Sequence, residues 1–345
     1  MTRTKKPPSL KDVSKLIGVS TATISNAFNR PDQLSKSLRE RILLECQRIG
    51  YSGPSMIARS LRSGQSDVIA VMLSDSLTYS FSDPMATDFM AGITEVLAKA
   101  NKQLLLLSST VMSDAQVRAE SLPDGFIFYG APEGQSFNRV TRSGKPCIVV
   151  DFDAPDVSSV NIDNFSACKE LAEHAIHGER DIPAIMGMRL IADNQVRPIE
   201  DKDLDHDKQE ISWQRLFGYV AGAKSRGAEI PADNIIHMPV NVLEQAIDGA
   251  RILLARTQRP NVILCMSDII AIGACKVADE LGLRVPEDLR ITGFDDIAEA
   301  KRNQPALTTI SQQGYEKGQL AATMLLENDT RQVMMEAKLV VRDSA

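Results

Sequence analysis

From residue 67 onward the apolar residues fall in short unbroken runs, at 68–73, 103–107, 125–129, 146–150, 182–186, 261–266 and 290–294. Each run has strand length and no polar alternation, so each predicts a strand buried on both faces. Between the runs, near 85–100, 164–177, 212–227, 242–257 and 268–281, the apolar spacing turns helical. Buried strands that alternate with helices predict an α/β body with parallel sheets covered on both faces. Ligands of such sheets bind beyond the carboxyl ends of the strands. The last residues, 337–345, read as a final strand.

The first sixty residues follow another rhythm. Leu10, Val13, Leu16 and Ile17 mark one face of a helix, with Ser9 as its N-cap and Asp12 three residues on. Gly18 ends it, since glycine turns the chain there at least cost. Ser20 caps a second helix whose Ile24 and Phe28 point back at the first, leaving Thr21, Ala22 and Asn26 outward. A third helix starts at Ser35 or Ser37; Ser37 with Glu40 fits a capping box, and Ile42, Leu43 and Ile49 would close a three-helix core. The arrangement is a helix-turn-helix head, all α. An inert helical bundle has the same pattern, and charge separates the two. Residues 1–66 hold 12 Lys/Arg against 4 Asp/Glu, or +8, whereas the whole chain is −6, so the remainder carries −14. A basic head on an acidic body suits phosphate binding.

Composition narrows the function classes further. A chain of 345 residues with 43% hydrophobic content holds more than one domain. No apolar run approaches the roughly 18 residues of a membrane span. The basic start lacks the apolar stretch of a signal peptide. Five scattered cysteines, mostly in apolar runs, suit a reduced cytoplasmic protein rather than a disulfide frame or zinc site. No Gly-rich phosphate loop and no G-x-S-x-G motif is present, so an enzyme reading and a cofactor find no support. The acids at 200–207 lack the glycine and closing Glu of a calcium loop, and His174 and His177 have no evident partner ligand, so no metal is expected.

The words Leu10-Lys-Asp-Val, Gly18-Val-Ser-Thr-Ala-Thr-Ile-Ser, Arg39-Glu-Arg-Ile and Ala58-Arg-Ser-Leu61-Arg resemble those of the lac-repressor/gal-repressor (LacI/GalR) family of bacterial regulators. So do Val160-Asn-Ile-Asp163-Asn164, Arg215-Leu-Phe-Gly218-Tyr219, Ser267-Asp268, the stretch 285–296 and Pro305-Ala-Leu-Thr-Thr-Ile. The resemblance implies a head with hinge over 1–66 and a two-lobed body, like the periplasmic sugar-binding proteins, over 67–345. Its first lobe would be 67–162 and 296–329, its second 163–295 and 330–345. It implies that the second helix enters the major groove of double-stranded DNA. Ser20, Thr21, Ala22, Thr23, Ser25, Asn26 and Asn29 would lie at the DNA. Asn26 stands where Arg or His is common in the family; an amide suits the N6/N7 edge of adenine, and the Thr21 and Ala22 methyls suit a thymine methyl. A hinge helix at about 55–63 would bring Ala58 and Leu61 to the minor groove, with Leu61 wedged between base pairs. Gly53-Pro54 makes the spacer before it one residue longer than in the best-known members.

For the body, the resemblance implies a cleft that holds a small-molecule effector, sugar-like, at Asp151, Arg215, Ser267 and Asp295. The aromatics Phe81 and Trp213 are further candidates for its lining, or for ordinary packing. Without an apolar heptad tail the expected assembly is a homodimer on a near-palindromic operator, in the cytoplasm at the nucleoid. The expected activity is transcription regulation, as a repressor. The alternative is a DNA-binding regulator controlled by a protein partner, with no small effector.

Overall fold

The computed structural model describes residues 8–53, 65–111, 113–132, 134–204 and 210–345. The chain divides into two units, Met1–Asp67 and Val68–Ala345. The expected hinge at 55–63, with Ala58 and Leu61, lies outside the described residues, as does the side chain of Asn29.

In the head, α1 (Leu10–Ile17) opens on a reciprocal cap: Asp12 N donates to Ser9 Oγ and Ser9 N to Asp12 Oδ2. Gly18 closes it at φ 74°. Ser20 caps α2 (Thr21–Asn29) through Thr23 N. A short 3-10 turn (Pro31–Gln33) leads to α3 (Lys36–Arg48). Its cap is Ser35, which accepts from Leu38 N; the alternative box of Ser37 with Glu40 does not form, because the helix begins two residues earlier. Val13, Ile24, Ala27, Ile42 and Cys46 are the core, closed by Tyr51, whose ring meets Phe28 edge-on at 6.0 Å.

The body has two lobes. The first holds a six-stranded, all-parallel sheet in the order β12-β5-β4-β3-β1-β2: β1 (Val68–Leu73), β2 (Gln103–Ser108), β3 (Gly125–Tyr129), β4 (Cys147–Val150), β5 (Ser158–Ile162) and β12 (Gln332–Met335). All six residues of β1 are buried, the reason its sequence shows no alternation. Between β1 and β2 lie α4 (Leu77–Ser82) and α5 (Pro84–Lys99); α6 (Asp114–Glu120) and α7 (Ser136–Arg142) follow. The second lobe orders β10-β9-β6-β8-β7, parallel except for its edge: β6 (Pro183–Met188), β7 (Arg197–Pro198), β8 (Ile235–Met238), β9 (Val262–Cys265) and β10 (Arg290–Thr292). Its helices are α8 (Asn164–Ala175), α9 (Ile211–Ser225), α10 (Leu243–Leu254), α11 (Asp268–Glu280) and the short α12 (Ala298–Arg302). A small ladder joins β11 (Thr309–Ser311) to β13 (Lys338–Val340).

Two lobe boundaries differ from the sequence reading. The segment expected to return to the first lobe at 296 stays with the second: Ile297, Ala300 and Leu307 pack in its core, and bridges link Thr292 to Thr308 and Asp295 to Ser311. The crossing therefore falls at Gln312–Gln313, just before α13 (Gly314–Glu327). The last crossing falls after β12, not near 330, because Gln332–Met335 pairs in parallel with β5 of the first sheet.

α13 lies directly on α5. Glycines make that approach possible: a Cβ on Gly92 would collide with the Tyr315 carbonyl, and one on Gly318 with the Phe89 carbonyl. Backbone cannot yield as a side-chain tip can. Gly318→Ala is expected to cost the body roughly 2–3 kcal/mol as overpacking. A urea midpoint equal to that of the parent would refute the close contact.

Candidate DNA-reading face and inter-lobe cleft

The helix-turn-helix geometry leaves one side of α2 outward. Ala22 is exposed, and Thr21, Ser25 and Asn26 are half-buried. Ser20 and Thr23 are turned to local work: the Ser20 hydroxyl caps the helix and meets Thr23 Oγ1 at 2.7 Å. Asn26 Nδ2 donates to Gln33 Oε1 at 3.1 Å, across the 3-10 turn. Arg39 Nε donates to the Ala27 carbonyl, which fixes α3 against α2.

In the body the strand ends of both lobes converge on one cleft. Asp151 follows β4 in a left-handed conformation, φ 61°, and Asp295 follows β10 at φ 123°. Asp151 Oδ1 accepts from Lys317 Nζ at 2.8 Å, and Lys317, fully buried on α13, also donates to Gln312 Oε1 at 3.3 Å. Gln312 Nε2 in turn donates to Asp295 Oδ1. Arg215 Nη1 stands 3.9 Å from Asp295 Oδ1. The same guanidinium donates to Asn164 Oδ1 (2.9 Å) and to the Met266 carbonyl (2.7 Å), and its Cζ lies 3.8 Å from the Phe294 ring centroid. One polar chain, Asp151–Lys317–Gln312–Asp295–Arg215–Asn164, thus runs from the first lobe into the second through a crossover segment. Burial pushes the Asp295 carboxyl well above the usual carboxylate range, against the pull of Arg215.

A second link crosses the cleft mouth. Arg189, just past β6, pairs with Asp75, just past β1, through Nη2–Oδ1 at 2.8 Å and Nη1–Oδ2 at 3.2 Å. Its Cζ also lies 5.5 Å from the Tyr79 ring centroid. Tyr79, on α4, hydrogen-bonds Asn241 of the second lobe, and burial raises its phenol. Asn241 Oδ1 accepts from Ser267 Oγ at 2.6 Å, while Ser267 also caps α11 through Ile270 N. Asp83 caps α5 through Met85 N, and burial lifts its carboxyl. Met85 reaches the core of the second lobe.

Asp151, Arg215, Ser267 and Asp295 are therefore brought together. Arg215 is 4% exposed, its Nε bonded to Asn164 and its Nη1 to the Met266 carbonyl. Neither Asp151 nor Asp295 caps a helix. Of the two aromatic candidates, one is exposed and one is buried. Phe81 is 61% exposed on α4, and Trp213 is 1% exposed inside the second lobe's core, beside Phe217. Asp75, Arg189, Asn241, Gln312 and Lys317 are not singled out by the sequence reading. Lys317 lies between Glu316 and Gly318, with Gln319 beyond, and nothing in that stretch signals burial. The acids near 200 serve a local clamp: Arg197 is held by Asp193 (2.6 Å) and Asp203 (3.2 Å).

His237, fully buried on β8, secures the loop that carries Arg189. Its Nδ1 accepts from Leu190 N at 3.2 Å, so the ring proton sits on Nε2 and faces the Asp193 carbonyl at 3.0 Å. Burial lowers its basicity. The folded form thus resists a proton that the unfolded chain accepts near pH 6.5. Stability contributed by neutral His237 is full above that value and falls as the pH drops toward the folded pKa. His237→Asn, which keeps an acceptor for Leu190 N–H, is expected to flatten this part of the melting-temperature profile between about pH 7 and 5. An unaltered profile would show that His237 does not titrate there.

Residues 203–345 match the model of the periplasmic binding protein-like domain. An HTH-type transcriptional regulator of Mycolicibacterium smegmatis is 33% identical over 341 residues, covering 94% of this chain and 92% of the relative. Among solved structures, a LacI-family regulator of Silicibacter pomeroyi superposes with a TM-score of 0.76 at 23% identity, over 98% of this chain and 99% of the other. The lac repressor dimer bound to operator and an anti-inducer gives 0.69 at 20% identity, over 98% and 99%. The relatives are transcription regulators and not enzymes. With a head-to-tail relative at this identity, the helix-turn-helix unit and the two-lobed body carry one conclusion: the chain belongs to the LacI/GalR family of helix-turn-helix transcriptional regulators.

Proposed function

We propose that the chain is a repressor that binds a near-palindromic operator as a homodimer, and that a small hydroxyl-rich effector, sugar-like and uncharged, sets its grip from the inter-lobe cleft. Thr21, Ala22 and Asn26 on the outer face of α2 read bases, as the family resemblance implies. The observation that carries the effector reading is the ring of polar strand ends, Asp75, Asp151, Arg189, Ser267 and Asp295, contributed by both lobes to one cleft. Among the described cleft residues, Arg189, Arg215 and Lys317 each already face a carboxylate. An anion finds no spare cation there, whereas hydroxyls find acceptors and donors in mixed array. The lac repressor, seen on operator with an anti-inducer, supports the same division of labour by analogy.

A ligand that bridges the lobes changes their relative angle, and by linkage the operator changes effector affinity by the factor that the effector changes operator affinity. The test is genomic footprinting of the purified chain, followed by titration of neutral sugars against the bound operator. Protection of its own promoter region, shifted by at least one neutral sugar and by no sugar phosphate, is expected. No protection, with or without metabolite extracts, would end the reading.

A further inference from the structure

We propose that Gln33 is a positioning residue for base recognition: it fixes which way the amide of Asn26 faces. The inference rests on the reading of the outer face of α2 given above. A primary amide is nearly symmetric in shape and opposite in chemistry at its two ends, so an untethered asparagine presents either donor or acceptor to a base edge. Here Asn26 Nδ2 donates to Gln33 Oε1 at 3.1 Å. With Gln33 Oε1 toward it, a flipped Asn26 amide would set two oxygens against each other. The turn Pro31–Gln33, closed by Gln33 N donating to the Arg30 carbonyl at 3.1 Å, sets the Gln33 side chain beside Asn26, with Oε1 toward it. One N–H of Asn26 is spent on Gln33; its second N–H and its oxygen remain side by side. That donor–acceptor couple matches N7 and N6–H of adenine and no other major-groove edge. The selection for adenine is therefore a property of two residues, one on α2 and one seven positions on, in the turn after it.

The experiment is binding-site selection with the full chain, followed by affinity measurements on the selected operator and its single-base variants. The parent is expected to select adenine at one position per half-site. Asn26→Ala should flatten that position, a loss of about tenfold in discrimination. Gln33→Ala should weaken discrimination at the same base pair, about fivefold, and leave the neighbouring positions and the melting temperature of the head unchanged. Gln33→Glu keeps the accepting oxygen and should retain the adenine preference while binding every sequence less tightly, because it adds a negative charge. If Gln33→Ala loses affinity equally for all sequences, beside an Asn26→Ala that flattens one position, the role of Gln33 is overturned and that of Asn26 stands. If Asn26→Ala selects the same sites as the parent, the reading of the face falls and the role of Gln33 with it.

Discussion

Replacing Lys317 by methionine is expected to destabilise the body by roughly 3–5 kcal/mol, the range for breaking a buried pair on one side. The side chain is fully enclosed on α13, and its ammonium is bonded to Asp151 and Gln312. Methionine fills the volume of the stem and offers no donor. Asp151 then stands at the cleft wall, its carboxylate mostly buried and its cation gone. At about 2–4 °C per kcal/mol for a unit of this size, the melting temperature should fall by on the order of 10 °C. Asp151→Asn in the same background should recover part of the loss, since a neutral amide no longer leaves an uncompensated charge; that double-mutant comparison isolates the pair. A Lys317→Met body that melts with the parent would mean that the pair contributes nothing. The consequence for function follows from the same contacts. Gln312 sits on a chain crossover and touches both Lys317 and Asp295, so losing the lysine also loosens the joint between the lobes.

Much of this architecture is legible in the sequence where local pattern and burial agree. The runs at 68–73 and 125–129 are strands over the whole predicted span, because both faces of each are covered and nothing polar interrupts them. β5 and β8 are not read as strands because polar residues sit at buried positions. Asn161 donates to Asp153 at 2.7 Å, and His237 serves the Arg189 loop. α13 escapes for a related reason: Gly314, Lys317 and Gly318 break its apolar stripe, and their burial depends on α5 and on Asp151, both far away in sequence. The cleft is partly legible. Arg215 on α9, Ser267 and Asp295 fall within the family wording, and the structure sets them in one contact network with Asp151. Their partners are not legible, because Asp75 pairs across 114 residues with Arg189, and Asp151 across 166 with Lys317, distances at which no periodicity speaks. The head is nearly all legible, since its caps, turn and core are local.

Arg215→Ala is expected to destabilise the second lobe by roughly 3–5 kcal/mol and to abolish the effector response, while the separate head keeps its intrinsic affinity for DNA. Arg215→Lys should recover only part: it keeps the charge but neither the planar fork that reaches Asn164 and Met266 nor the stack on Phe294. The diagnostic is the dependence on pH. Burial already holds the Asp295 carboxyl high, and Arg215 is the cation that restrains it. A carboxyl that is more basic folded than unfolded binds more protons in the native state between its two pKa values, so its ionisation destabilises as the pH rises through the folded value. Without Arg215 that value climbs further and the cost at neutral pH grows. At acid pH Asp295 is neutral in both proteins and the charge contact no longer matters. The melting gap between parent and Arg215→Ala should therefore narrow as the pH is lowered from neutral through the raised folded pKa of Asp295, leaving only the lost hydrogen bonds and stacking. A gap of equal size at both ends would show that Arg215 acts by packing alone, and that the charge of Asp295 is balanced elsewhere along the polar chain.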